Sequence, residues 1–200
     1  MNMARGLLLV IAALLVGQTA SAAGCKYQKN ETDKFTKVLT RWTKWNPVMS
    51  TWHLSKIHHI PYVSVYSVDD DAQLLLKIET LIQEKYPPDE LYLEEYLVVS
   101  EGAPLQIVMQ DETTIELAAL KKVRAITRTQ EDISGGPDSD TMFRTTGPAI
   151  IHYPLDDAAK IALAGQSVRS ISMTTDNSNF DFEIHKKSVD DFAAAVKCIL

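Results

Sequence analysis

Along most of the chain, apolar residues recur at every second position, the period of a half-buried strand rather than of a helix. Residues 35–45, Phe-Thr-Lys-Val-Leu-Thr-Arg-Trp-Thr-Lys-Trp, mix β-branched and aromatic side chains with interleaved cations. They predict a half-exposed strand that Asn46-Pro47 ends. Over 61–68, Tyr62, Ser64 and Tyr66 alternate with Val63 and Val65. Asp69-Asp70-Asp71 then turns the chain, and 73–79 returns as the second arm of a hairpin. A helix over 72–85 competes with that arm, because Leu74, Leu75, Ile78, Leu81 and Ile82 also suit a 3.6 period. Pro87-Pro88 breaks the pattern. Beyond it, 91–100 reads as a strand, Glu101-Gly102-Ala103-Pro104 as a turn and 105–110 as the partner strand, with 113–120 and 123–129 as a further pair. Residues 130–141, which hold Ser134-Gly135-Gly136-Pro137, read as an exposed loop. Strand character returns over 142–153, interrupted at Gly147-Pro148.

The last quarter alternates between periods. Residues 156–164 predict a short helix: Asp156 and Asp157 suit the positive end of the dipole, alanine dominates, and Gly165 stands where a C-cap belongs. Over 168–187, Val168, Ile171 and Met173 lead into the turn Asp176-Asn177-Ser178-Asn179, after which Phe180, Phe182 and Ile184 alternate with Asp181, Glu183 and His185, a hairpin with one apolar face. Ser188 with Asp191 three residues on makes a capping-box-like start, and Phe192, Ala195, Val196 and Ile199 form the apolar stripe of a terminal helix. These patterns predict a mainly β domain, an antiparallel β-sandwich or half-barrel of hairpins with two short C-terminal helices, with α+β as the neighbouring class.

The tail also carries a family resemblance. Leu163-Ala164-Gly165, then Phe180-Asp181-Phe182-Glu183-Ile184, then Asp191-Phe192-Ala193-Ala194-Ala195-Val196, resembles the end of the invasion-associated locus B family of exported bacterial proteins. The resemblance implies a periplasmic β-sandwich closed by a short helix and a non-enzymatic role.

Residues 1–22 have the three parts of a secretory signal: Arg5 in a short basic region, the apolar run from Leu7 to Val16, and the small-residue site Ala20-Ser21-Ala22. That run falls short of the roughly 20 residues that span a bilayer, and Gln18 and Thr19 end it, so a cleaved leader is expected over a permanent anchor. Residues 23–200 are then one exported domain, periplasmic or secreted, with no transmembrane segment in the mature chain. Twenty Lys and Arg stand against 26 Asp and Glu, a formal charge of −6. Loss of Arg5 makes the mature domain more acidic still, which excludes the basic footprint of nucleic-acid binding. In an oxidising compartment an even pair of cysteines favours a disulfide, and Cys25 with Cys198 would close nearly the whole mature chain. Two alternatives stand beside it: a pair of free, buried thiols, and a lipoprotein anchored through Cys25, whose preceding Ala22-Ala23-Gly24 resembles a lipobox.

Candidate chemistry is sparse. His53, His58 and His59 cluster within seven residues and imidazole is a common metal ligand, yet the spacing matches no standard motif. Asp69-Asp70-Asp71 and Asp138-Ser139-Asp140 offer oxygen ligands, but neither continues into a calcium loop, and turn chemistry accounts for both. No Gly-x-Ser-x-Gly occurs. Trp42, Trp45 and Trp52 with Arg41 and Lys44 concentrate aromatic and cationic side chains in the first third, a candidate binding face for an acidic or polysaccharide surface. The expectation is therefore a non-enzymatic binding or envelope-associated protein, without a cofactor, whose partner is a protein or cell-envelope component. The competing class is a small periplasmic hydrolase, which would need one of these histidines beside an acid in a cleft.

Overall fold

The computed structural model describes residues 24–48, 57–83, 97–124, 130–132, 142–145, 149–186 and 188–199, with backbone alone at 57–58, 80–83, 130–132 and 142–145. The expected leader over 1–22, Trp52, His53 and the Pro87-Pro88 break lie outside these residues.

Antiparallel strands dominate. They are β1 (Tyr27–Thr32), β2 (Leu39–Thr43), β3 (Asn46–Pro47), β4 (Ile57–Val68), β5 (Asp71–Gln83), β6 (Val98–Val99), β7 (Pro104–Met109), β8 (Thr114–Ala118), β9 (Val123–Arg124), β10 (Gln130–Asp132), β11 (Met142–Thr145), β12 (Ala149–Leu155), β13 (Val168–Thr174) and β14 (Asn179–Glu183). The helices among the described residues are α1 (Asp157–Gly165), between β12 and β13, and α2 (Val189–Lys197), after β14. A larger sheet runs β1-β2-β4-β5, after which β12 pairs with β5 over residues 72–78 and β11 with β5 over 81–83, carrying β10 outside it. A second sheet runs β14-β13-β7-β8, and β6 with β9 makes a small ladder.

The β4–β5 hairpin is the backbone of the larger sheet. Its register is unbroken from Ile57↔Ile82 to Val68↔Asp71, and Asp69 takes φ 49° at the turn, a left-handed conformation that Asp tolerates better than a β-branched residue. The helical alternative over 72–83 is not realised. Ala72, Leu74, Leu76 and Ile78 meet the core as one period-two row, and β4 and β12 satisfy both backbone edges of β5. That row joins Val63, Val65, Ile151 and Tyr153 to Leu105, Ile107 and Met109 of the second sheet and to Leu163, Phe192 and Val196 of the helices, in one continuous core.

Several expectations are corrected in detail. The strand expected over 35–45 is confined to β2, because Asp33–Lys37 forms a tight turn that leaves Phe35 93% exposed. The expected hairpins are re-paired among the described residues: β7 lies between β8 and β13 and not beside β6, while β6 pairs with β9 and not β8 with β9; residues 91–96 and 125–129 lie outside the described residues. Gln130–Asp132, expected in a loop, extends the β11 ladder as β10. Gly102 sits at φ 78° in the turn before β7, a conformation open to glycine. In α1 the Asp156 carboxylate accepts from the Ala159 N–H at 2.7 Å, as the sequence pattern suggests, but Gly165 is the last helical residue and Gln166 the C-cap. The capping box of α2 is absent: Ser188 has helical dihedrals and its side chain caps nothing. The chain enters α2 instead through a turn in which the Ser188 N–H bonds the His185 carbonyl at 2.7 Å.

Candidate binding face

Period-two geometry places alternate residues of β4 and β5 on the face turned away from the core. The cross-strand pairs on that face are Trp42↔Tyr66, Tyr66↔Gln73, Ser64↔Leu75 and Tyr62↔Lys77, with His152 of β12 opposite Leu75 and Ile150 opposite Lys77; Ser64 and Leu75 are themselves fully buried, and the half-buried residues lie around them. Trp45, just beyond β2, joins them. Its ring meets Trp42 edge-on at 6.2 Å, and Trp42 meets Tyr66 edge-on at 6.3 Å, the arrangement that the ring quadrupoles favour.

Lys77 lies at the centre. Its ammonium is 4.1 Å from the Tyr62 ring centre and 5.2 Å from that of Trp45, and it meets Glu79 Oε1 at 2.6 Å. The two charged side chains are 14% and 15% exposed, so the ion pair and the cation–π contacts act in a partly desolvated setting where each is stronger than at an open surface. Beside them the His152 Nδ1–H donates to Gln73 Oε1 at 2.8 Å. Burial, and after it the charge of Lys121, lowers the His152 pKa below its usual value. Trp42, Trp45, Tyr62 and Tyr66 are all half-buried. The Trp42 indole N–H is itself buried and has no acceptor among the described residues.

Of the residues singled out from sequence, Trp42 and Trp45 are brought together here. Arg41 is not part of the face. Alternation along β2 turns it to the core side, where its guanidinium donates to the Ile199 carbonyl at 2.6 Å and the Cys198 carbonyl at 3.4 Å. Lys44 is exposed, and its backbone N–H bonds the Lys26 carbonyl at 2.8 Å. His58 and His59 occupy adjacent positions of β4, and the His59 ring meets Phe180 edge-on at 4.9 Å, bridging the two sheets. Among the described residues no three His, Cys, Asp or Glu side chains gather as a metal site. Sequence reasoning missed Gln73, Lys77, Glu79 and His152. The alternation that pairs Tyr62, Ser64 and Tyr66 with Gln73, Leu75 and Lys77 held the signal for the first three.

Cys25 and Cys198 form a disulfide with Cα atoms 5.6 Å apart. Acylation of the Cys25 sulfur and this bond exclude each other. No described helix is long and apolar enough to cross a membrane. Compared with known proteins, the chain matches no family model, no curated protein and no solved structure.

Proposed function

We propose that this is an exported, non-enzymatic binding protein, periplasmic or secreted, that takes a component of the cell envelope on the outer face of its larger sheet. The observation that carries the reading is the gathering of Trp42, Trp45, Tyr62 and Tyr66 around the Lys77–Glu79 pair on that one face. Half-buried aromatic rings offer flat apolar surface at low entropic cost. The ammonium and the carboxylate supply the few placed polar groups that fix orientation. Such a mixture suits a saccharide, whose ring has apolar C–H faces and a polar rim. The disulfide is compatible with an oxidising compartment, and the tail's resemblance to an exported family points the same way.

The test is co-sedimentation of the oxidised protein with insoluble cell-wall polysaccharide, followed by titration of tryptophan fluorescence with soluble fragments of the same polymer. Trp45→Ala is expected to weaken binding about tenfold, or roughly 1.4 kcal/mol. Equal binding by the variant and the parent, or no binding by the parent, would sink the reading.

A further inference from the structure

Two elements meet at the disulfide, and they are held very differently. On one side stands α2, whose Phe192, Ala195 and Val196 belong to the core together with Ile199 just beyond it, and whose last carbonyls accept from Arg41. On the other stands β1, which among the described residues is an edge strand that pairs with β2 alone. Tyr27 is half-buried, the next five side chains of β1 are exposed, and none of the six belongs to the core. Its register with β2 slips between Tyr27 and Lys29, so the ladder is weakest at the end next to Cys25. Apart from that ladder, the ties on this end among the described residues are the Lys26 carbonyl to the Lys44 N–H, the Tyr27 hydroxyl to the Cys198 carbonyl at 2.6 Å, and the Cys25–Cys198 bond.

From this asymmetry we infer that the Cys25–Cys198 disulfide is a reducible latch on β1: a dithiol reductant that opens it releases the edge strand and leaves α2 seated. Cys25 is half-buried and the more exposed of the two cysteines, and an open depression of about 120 Å³ reaches the bond from the Cys198 side. Lys26 and Asp191, of opposite charge, both line it. One thiolate of the reductant attacks Cys25 Sγ, the S–S bond breaks, and Cys198 leaves as a thiolate that takes up a proton. The second thiol of the reductant then attacks its own mixed sulfur, releasing Cys25 as a thiol. Two electrons and two protons pass to the protein, and the reductant ends as a disulfide.

With the bond open, β1 is left with its ladder and a few terminal hydrogen bonds. A polar ribbon of that kind, without an apolar face in the core, is marginal in water. Its departure uncovers the outer backbone edge of β2, the strand that carries Trp42, and an uncovered edge is a template for another strand. This inference is independent of any partner on the aromatic face.

Hydrogen exchange followed by mass spectrometry reads it directly. The full mature chain is compared oxidised, and after reduction by dithiothreitol with uptake of two alkyl groups confirmed by intact mass. Amides of 28–32 are expected to lose nearly all protection after reduction, while those of 190–197 stay protected to the level that the lowered global stability of the reduced protein sets. Cys25→Ser with Cys198→Ser should reproduce the reduced pattern without reductant. Unchanged protection across 28–32 in fully reduced protein overturns the inference. So does loss of protection in β1 and α2 together, or a double variant that fails to fold, since either makes the bond a support of the whole domain rather than a latch on one strand.

Discussion

Tyr153 sits in the middle of β12 with none of its surface exposed, and its hydroxyl has no hydrogen-bond partner among the described residues. Burial accordingly pushes its phenol pKa well above the ordinary range. The ring fills core space next to Leu74, its cross-strand neighbour, while the oxygen forfeits its solvation. Tyr153→Phe keeps the ring and removes the orphaned polar atom, so it is expected to raise stability by about 1 kcal/mol, read as a higher urea midpoint at unchanged slope. A lower midpoint would mean that the hydroxyl is satisfied after all. The same scale shows why Arg41 was assigned to the wrong face from sequence. A cation beside Trp42 suggests a shared surface, but neighbours on a strand point to opposite sides. Which side of β2 faces the core is settled by α2, more than 150 residues away in the chain, whose carbonyls claim the guanidinium at a sequence separation of 158.

Among the elements, α2 shows how a helix end is completed without glycine. Its C-cap is Cys198, still helical at φ −69° and ψ −14°. The C-cap carbonyl of Cys198 accepts from the Tyr27 hydroxyl at 2.6 Å and from Arg41 at 3.4 Å, and Arg41 also holds the Ile199 carbonyl just past the helix at 2.6 Å. A cation there also meets the negative end of the helix dipole. Arg41→Met keeps most of the apolar stem and loses both bonds, with an expected cost of about 1.5–3 kcal/mol. Thermal unfolding gives the magnitude, and faster exchange confined to the last turn of α2 would locate it. A variant as stable as the parent would show that water serves those carbonyls equally well. Element by element, β4–β5 and β13–β14 were legible because alternation and turn residues agree locally, from Tyr62 to Lys77 and from Val168 to Glu183. The pairing of β7 with β13, and of β6 with β9, was not. Those neighbours are chosen by closing one core over both sheets, and nothing near 105–110 in the chain announces Ile171. β10 was illegible for a different reason: Gln130-Glu131-Asp132 carries no apolar signal and is a strand only because β11 offers it an edge. The missing capping box follows from tertiary preference for the turn at 185–188 over an extended Ser188.

For the molecule as a whole, the mainly antiparallel, sandwich-like arrangement and the Cys25–Cys198 pairing stood out in the sequence, because alternation repeats along the whole chain and two cysteines allow one pair. The aromatic face was visible only in part. Its tryptophans lie close together in sequence, but Lys77 and Glu79 reach them through the register of β4 on β5. The disulfide spans a sequence separation of 173 residues. In the chain-entropy treatment a loop of that size is worth about 4–5 kcal/mol, drawn from the freedom of the unfolded chain. The urea midpoint of the reduced protein is therefore expected to fall by that amount divided by the slope, and a fall equivalent to under about 1 kcal/mol would place the stabilisation elsewhere.

A covalent circuit so nearly complete also changes what the ends of the protein can do. Force applied at residues 25 and 198 travels through two sulfur atoms and never reaches the sheets, so pulling on those two residues cannot unravel the chain between them. Once the bond is cut, the same two points become the ends of a line on the order of 600 Å long when fully stretched. While it is intact the chain behaves mechanically as a ring, closed only after residue 198 has been made.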